Sequence, residues 1–228
     1  MQRKIVKTAD GSTTIQITEW NEQYHSMHGA IQEAQHVFLK TGLDHFISTS
    51  ALKQLNILEI GFGTGLNAFL TCIAADDKSI VINYEGVEAF PVSADEIEQL
   101  NYIELTGENK YEKAFAKMHA AAWGESEEIT TNFNLKKRHQ TFETITDQDQ
   151  HHLIYFDAFG ARVQPELWEE NIFKLMFTAL KEGGVLVTYA AKGSVRRAMQ
   201  SVGFLVERLP GPPGKREMLR ATKPDLSK

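Results

Sequence analysis

The chain has 228 residues and a formal net charge of −6, with 42% hydrophobic and 24% charged residues. That is an ordinary composition for a globular domain with one substantial core. No apolar run approaches the roughly 18 residues of a membrane span, and the opening MQRKIVKTADGS lacks the apolar stretch of a signal peptide, so a cytoplasmic location is expected. Cys72 is the only cysteine, which excludes an internal disulfide. The pairs His25/His28 and His151/His152 have no cysteine or carboxylate companions at ligand spacing, so no metal is expected.

In chain order, KIVKTADGSTTIQI alternates around Asp10-Gly11, a hairpin signal. Gly29–Leu39 then reads as a helix with Ile31, Ala34, Val37 and Phe38 on one face. Residues 1–50 therefore read as a hairpin-and-helix extension to a domain over 51–228. Asn56-Ile57-Leu58-Glu59-Ile60 is a short apolar run, as in a strand buried on both faces of a parallel sheet. Leu66, Phe69, Leu70 and Ile73 recur at helical spacing, which leaves Gly61, Gly63 and Gly65 in a strand-to-helix turn.

Glycines there let the chain approach a ligand without a Cβ in the way, and the helix start offers free N–H groups and a positive dipole end. Leu66 stands where a dinucleotide-binding fingerprint needs its third glycine, which disfavours a nicotinamide-dependent oxidoreductase. The form E-x-G-x-G-x-G, beginning at Glu59 and taking in Phe62 and Thr64, resembles motif I of class I S-adenosylmethionine methyltransferases. SIVINYEGVEAF is a second strand ending near Glu88. An acidic side chain roughly 20 residues beyond the turn is placed to meet ribose hydroxyls.

Tyr111, Phe115, Met118 and Ala122 suggest an amphipathic helix, and ITTNFNL a third strand. HHLIYFDAFG is a fourth, apolar until Asp157. Pro165 opens a helix running to Gly183-Gly184, GVLVTYA is a fifth strand, and Gly193-Ser194 opens another helix. GFLVERL and KREMLRA form a terminal hairpin. The expected fold is α/β and doubly wound: a seven-stranded, mostly parallel sheet with an antiparallel terminal strand. Ligands in such sheets sit beyond the C-terminal strand ends, where the glycine turn, Glu88 and Asp157 converge. Lys192, Arg196, Arg197, Lys215 and Arg216 belong to a locally basic C-terminal stretch in an otherwise acidic chain.

From about Tyr24 to Ala221 the sequence resembles the methyltransferase module of the MnmC family of tRNA wobble-uridine enzymes and their stand-alone MnmD relatives. The resemblance rests on YHSMHGAIQEAQHVFL, EIGFGTGLNAFL with VEAFP, FDAFGARVQPELWEENIF, and SVRRAMQSVGF with GPPGKREML. It implies a Rossmann-like class I fold and transfer of a methyl group from S-adenosylmethionine to the amine of 5-aminomethyl-(2-thio)uridine in tRNA. Asp157 would be the base, matching the family's Asp-x-Phe motif. Gly61, Phe62, Gly63, Thr64, Gly65, Glu88, Asp157, Ala158 and Phe159 would hold the cofactor, with Glu59 supporting the turn and Asn67 near the methionine end.

Tyr24, Glu33 and Phe38 would form a lid or floor, and Lys192, Arg196, Arg197, Lys215 and Arg216 would contact tRNA phosphates. The family's bifunctional members carry an FAD-dependent oxidase domain. This chain ends at Lys228 without one, so its substrate is expected as the free amine from a separate oxidase or another upstream wobble-uridine enzyme.

Two departures are visible. LKKRHQ is basic where such enzymes usually carry an acidic or amide side chain after the third strand, so adenine is expected to be read by backbone. Asp157-Ala158-Phe159-Gly160-Ala161 lacks the proline of the family's string. A non-catalytic tRNA-binding module and a methyltransferase for small amines are the alternatives, the first separable by S-adenosylmethionine affinity.

Overall fold

The computed structural model describes residues 2–225. β1 (Arg3–Lys7) and β2 (Thr13–Ile17) form the hairpin around Asp10-Gly11, and β3 (Glu22–Gln23) adds a short third strand to this small antiparallel sheet. The chain is then helical from α1 (Ala30–Ala34) to α2 (His45–Thr49), ten residues beyond the expected end, and between Gln35 and Asp44 it is wound wider than an α-helix. Gly42 lies in that wide segment. A Cβ there would stand 2.9 Å from Val187 Cγ2, so glycine lets the segment settle against the main sheet.

That sheet begins with β4 (Gln54–Ile60), whose Leu55, Ile57, Leu58 and Ile60 are fully buried. Burial on both faces explains its continuous apolar run. The glycine turn leads into α3 (Leu66–Lys78), followed by β5 (Val81–Glu88). Short helices α4 (Ala94–Ile97) and α5 (Tyr102–Thr106) precede α6 (Glu112–Ala120).

The expected third strand is two strands. β6 (Ser126–Thr130) and β7 (Phe133–His139) pair antiparallel, turning at Thr131-Asn132. β8 (His151–Phe156), α7 (Glu170–Ala179), β9 (Leu180–Thr188), α8 (Gly193–Ser201), β10 (Leu205–Pro210) and β11 (Glu217–Thr222) complete the fold. Pro165 lies in a tight turn, Pro165–Trp168, ahead of α7 rather than inside it.

The order is β10-β11-β9-β8-β4-β5-β7-β6, eight strands where seven were expected, the eighth being β6 at the outer edge. The central strands are parallel, and β11 is antiparallel to both neighbours. Strand order reverses at β4, which has β5 on one side and β8 on the other. The crevice beyond its C-terminal end is where such sheets bind ligands.

Residues 30–49 share a core with the sheet. Val37, Phe38 and Leu43 belong to the same cluster as Leu55, Ile57 and Tyr155, and the Phe38 and Tyr155 ring centroids are 5.1 Å apart. Phe38→Ala should therefore cost about 3–5 kcal/mol by urea denaturation, as for buried aromatic truncations generally. Phe90→Ala, at a side chain 58% exposed, should stay within about 0.5 kcal/mol.

Candidate active site

The glycine turn is a cradle in the strict sense. Gly61, Gly63 and Gly65 have φ of 91°, 50° and 73°, values that side chains with a Cβ rarely adopt. A Cβ on Gly61 would stand 2.7 Å from the Asp157 carbonyl oxygen, and one on Gly63 would stand 3.0 Å from Tyr24 Cδ1. The turn is pinned to β5: the N–H groups of Gly61 and Phe62 both donate to the Val87 carbonyl. Glu88 holds it from the side, its Oε2 accepting from Gly63 N–H at 2.9 Å and its Oε1 from Phe90 N–H at 2.8 Å.

Two carboxyl groups meet under the turn. Glu59, near the end of β4, is fully buried, and Asp157 immediately follows β8. Asn67, in the first turn of α3, donates through Nδ2 to Glu59 Oε1 and to Asp157 Oδ2, both at 2.9 Å. Burial drives the Glu59 carboxyl well above the usual carboxylate range, and the Asp157 charge adds to the rise. Burial also pushes Asp157 up to about 7, reinforced by Glu33 and opposed by the Asn67 hydrogen bond and Lys215.

A cavity of about 510 Å³ opens above these groups, within the range of small-molecule sites. The N-terminal sheet forms one wall. Tyr24 packs edge-on to Phe159 with centroids 4.9 Å apart, and Trp20 packs on the same ring at 5.6 Å. Arg3 donates to the Phe90 and Pro91 carbonyls, closing the wall against the loop after β5. On the far side Lys215 Nζ lies 2.5 Å from Glu33 Oε1 and 3.8 Å from the centre of the Tyr189 ring.

The cavity gathers Gly61, Phe62, Gly63, Thr64, Asn67, Glu88, Asp157, Ala158, Phe159, Tyr24, Glu33 and Lys215. Glu59 and Gly65 lie beneath and behind it. Phe38 is in the core against Tyr155 rather than at the lid or floor. Lys215 turns inward onto Glu33, so it is not on the basic surface where a phosphate contact was expected. Lys192, Arg197 and Arg216 are exposed and Arg196 is half-buried, all outside the cavity.

Lys136, Lys137 and Arg138 are inside β7, not after it. Lys137 is buried and donates to the His119 carbonyl, while Arg138 pairs with Glu85 and Asp147. The residues that follow β7 and reach the cavity are Thr141, Phe142 and Glu143.

Sequence reasoning missed Tyr189, whose hydroxyl donates to the Ala158 carbonyl at 2.8 Å; its place near the C-terminal end of the expected fifth strand, GVLVTYA, was the available signal. It also missed His25. This histidine meets Thr14 through Nδ1 at 2.9 Å and Thr64 through Nε2 at 3.4 Å, and burial lowers its pKa to about 4.

A glycine cradle between the first parallel strand and its helix, with an acidic residue closing the next strand at the sheet's reversal point, defines a class I methyltransferase site. The comparisons agree. The sequence profile of an S-adenosyl-L-methionine-dependent methyltransferase family matches residues 108–224, and the chain belongs to that family.

In an alignment of 216 positions that covers 89% of this chain, it is 30% identical to the tRNA 5-methylaminomethyl-2-thiouridine biosynthesis bifunctional protein MnmC of Paracidovorax citrulli, of which it covers 33%. The Polaromonas naphthalenivorans protein of the same name is 28% identical over 88% of the chain and 32% of its own length. The chain thus spans about a third of the curated relatives it matches, and corresponds to their methyltransferase part.

Among solved structures, MNMC2 from Aquifex aeolicus superposes with a TM-score of 0.76 at 24% identity, over 96% of this chain and 69% of that one. Spermidine synthase from Thermotoga maritima shares the fold with a TM-score of 0.56 at 13% identity, over 97% and 68% of the two chains.

The residues present fit S-adenosylmethionine: the positive φ of the three glycines keeps the turn free of side chains, Gly61, Gly63 and Glu88 line the cavity, and Asn67 Oδ1 is a buried acceptor without a partner among the described residues. Gly63→Val should lower S-adenosylmethionine affinity at least about tenfold, near 1.4 kcal/mol, in calorimetry on folded protein.

The pH dependence has a definite sign. The folded Asp157 keeps a proton up to about 7 that the unfolded chain releases near its ordinary 3.8. Its contribution therefore lowers stability as pH rises between those values. The stability of Asp157→Asn relative to the parent should accordingly rise between about pH 4 and 7, read as the difference in urea midpoints.

Proposed function

We propose that this methyltransferase acts on an amine: the exocyclic nitrogen of 5-aminomethyl-(2-thio)uridine at the wobble position of tRNA, giving the 5-methylaminomethyl form. The observation that carries the reading is the placement of Asp157, whose carboxyl lines the cavity beside the glycine turn and is held by Asn67, with burial pushing it up to about 7. An alkylamine is mostly ammonium at neutral pH and has no lone pair for attack. A carboxylate that binds the ammonium and accepts its proton is what the reaction requires, and a base works best with a pKa near the operating pH.

Bound S-adenosylmethionine supplies a methyl group made electrophilic by its sulfonium. Glu88 would hold the ribose hydroxyls, the glycine turn and the start of α3 the methionine end, and Phe62, Phe90 and Phe142 an apolar edge for adenine. The protein's main contribution is then to hold the amine in line, an effect worth about 7–11 kcal/mol in well-oriented systems. Asp157 takes the proton through its carboxylate, and Asn67 keeps that carboxylate aimed.

Lys192, Arg196, Arg197 and Arg216 give the otherwise acidic chain a cationic surface for tRNA phosphates. The names of the MnmC relatives support the substrate assignment. The free amine would come from a separate oxidase or another upstream enzyme acting on the same uridine.

The test is nucleoside mass spectrometry after incubating the protein with S-adenosylmethionine and tRNA carrying the aminomethyl group; one added methyl on the wobble nucleoside is expected. No methylation of tRNA with methylation of small amines would overturn the RNA assignment. Asp157→Asn should slow turnover by about 10²–10⁴, typical of a lost general base, with partial recovery at higher pH. The parent's kcat/KM should rise through about pH 7 as Asp157 ionises, an inflection the variant should lack.

A further inference from the structure

The cavity already contains a bound primary ammonium, and it belongs to the protein. Lys215 enters from the turn between β10 and β11, and its Nζ sits between Glu33 Oε1 and the face of Tyr189. Both partners are fixed independently of Lys215. Glu33 is 7% exposed, and its second oxygen accepts from Ser26 N–H at 2.8 Å. Tyr189 is oriented by its hydroxyl bond to the Ala158 carbonyl, one residue from Asp157. A carboxylate pinned by a backbone amide and an aromatic face pinned by a backbone carbonyl make a rigid cage for –CH2–NH3+.

Lys215 is attached differently. Its backbone is held by the turn itself, with Lys215 N–H on the Pro212 carbonyl at 2.9 Å and Gly211 N–H on the Arg216 carbonyl at 3.1 Å. The side chain can therefore leave without breaking a backbone bond. A buried carboxylate left alone is costly, so Lys215 can give way only to another cation. An incoming alkylammonium satisfies that condition, and a neutral group does not.

We propose that Glu33 and Tyr189 form the recognition subsite for the substrate's primary ammonium, and that Lys215 is its resident occupant, exchanged for the substrate amine on binding. The identity of the incoming amine rests on the proposed function; the ammonium cage does not. Exchange also accounts for the nearness of the subsite to Asp157, since Glu33 is the largest charge acting on that carboxyl.

The test uses the protein without cofactor or tRNA, so its failure leaves the methyltransferase reading standing. Lys215→Ala removes three carbons and the ammonium, a space that n-propylammonium matches. The variant should melt below the parent, and n-propylammonium chloride near neutral pH should raise its melting temperature with concentration, as mass action requires.

The parent, and Lys215→Ala combined with Glu33→Gln, should not respond. At equal ionic strength tetramethylammonium chloride and 1-propanol should fail to stabilise Lys215→Ala. Should Lys215→Ala not fold, Lys215→Ser, whose Oγ takes the place of one carbon, opens a space that ethylammonium matches and is tested with that cation instead. No rise with n-propylammonium, or an equal rise with tetramethylammonium or in the double variant, would overturn the proposal.

Discussion

One side-chain amide holds the site together. Asn67 Nδ2 bridges the carboxyls of Glu59 and Asp157, which belong to neighbouring parallel strands and would repel if both were ionised. Glu59 is the deeper of the two, and burial raises its carboxyl well above the ordinary carboxylate range. Asp157 is the member of the pair that lines the cavity. Because Asn67 lies in the first turn of α3, the same bridge ties the glycine turn and helix start to the ends of β4 and β8. Cradle geometry and carboxyl proton affinity are thus one constraint: a shift of the turn moves the hydrogen bond that opposes the rise at Asp157.

The N-terminal segment completes what the sheet begins. Tyr102 donates to Thr64 Oγ1 at 3.0 Å, and Thr64 meets His25, which meets Thr14. This buried polar chain crosses from α5 through the glycine turn into β2. Held neutral by burial, His25 adds no charge to the wall. Arg162 reaches the carbonyls of Trp20 and Asn21 from the loop after β8. Within residues 2–50, β1–β3 form a separate small sheet that walls the cavity, while Ala30, Ala34, Val37, Phe38, Leu43 and Phe46 belong to the core cluster of the main sheet.

What could be read in the sequence followed local rules. The β4 run shows burial on both faces, the glycines show a cradle because a positive φ tolerates little else, and Asp157 stands out as the first charge after an apolar strand. Pairings between distant residues could not be read. Lys215 and Glu33 are far apart in sequence, and nothing in GPPGKREML shows that its lysine turns inward while the next arginine faces solvent.

Phe38 and Glu33 sit on one predicted helix, but five residues at roughly 100° each put them about 140° apart around its axis, so Glu33 faces the cavity while Phe38 packs in the core. The β6–β7 hairpin escaped notice because ITTNFNL has no glycine or proline to mark its turn at Thr131-Asn132. Moving the strand boundary also moved Lys136–Arg138 from an adenine-reading loop into the sheet.

On the proposed reading, the charge distribution sorts the substrate by its parts. Glu22, Glu33, Glu88, Glu143, Glu166 and Asp157 line the cavity, while its cations Arg3 and Lys215 are already engaged with protein partners. A phosphate would be repelled there, whereas an ammonium is drawn in. Lys192, Arg197 and Arg216 are exposed outside. Screening at physiological salt acts over about 8 Å, so a backbone held on those cations more than that distance from the floor is hardly affected by the carboxylates. The arrangement suits a polyanion that remains at the rim and extends one amine on a short arm, and excludes binding modes that bury phosphate beside Asp157.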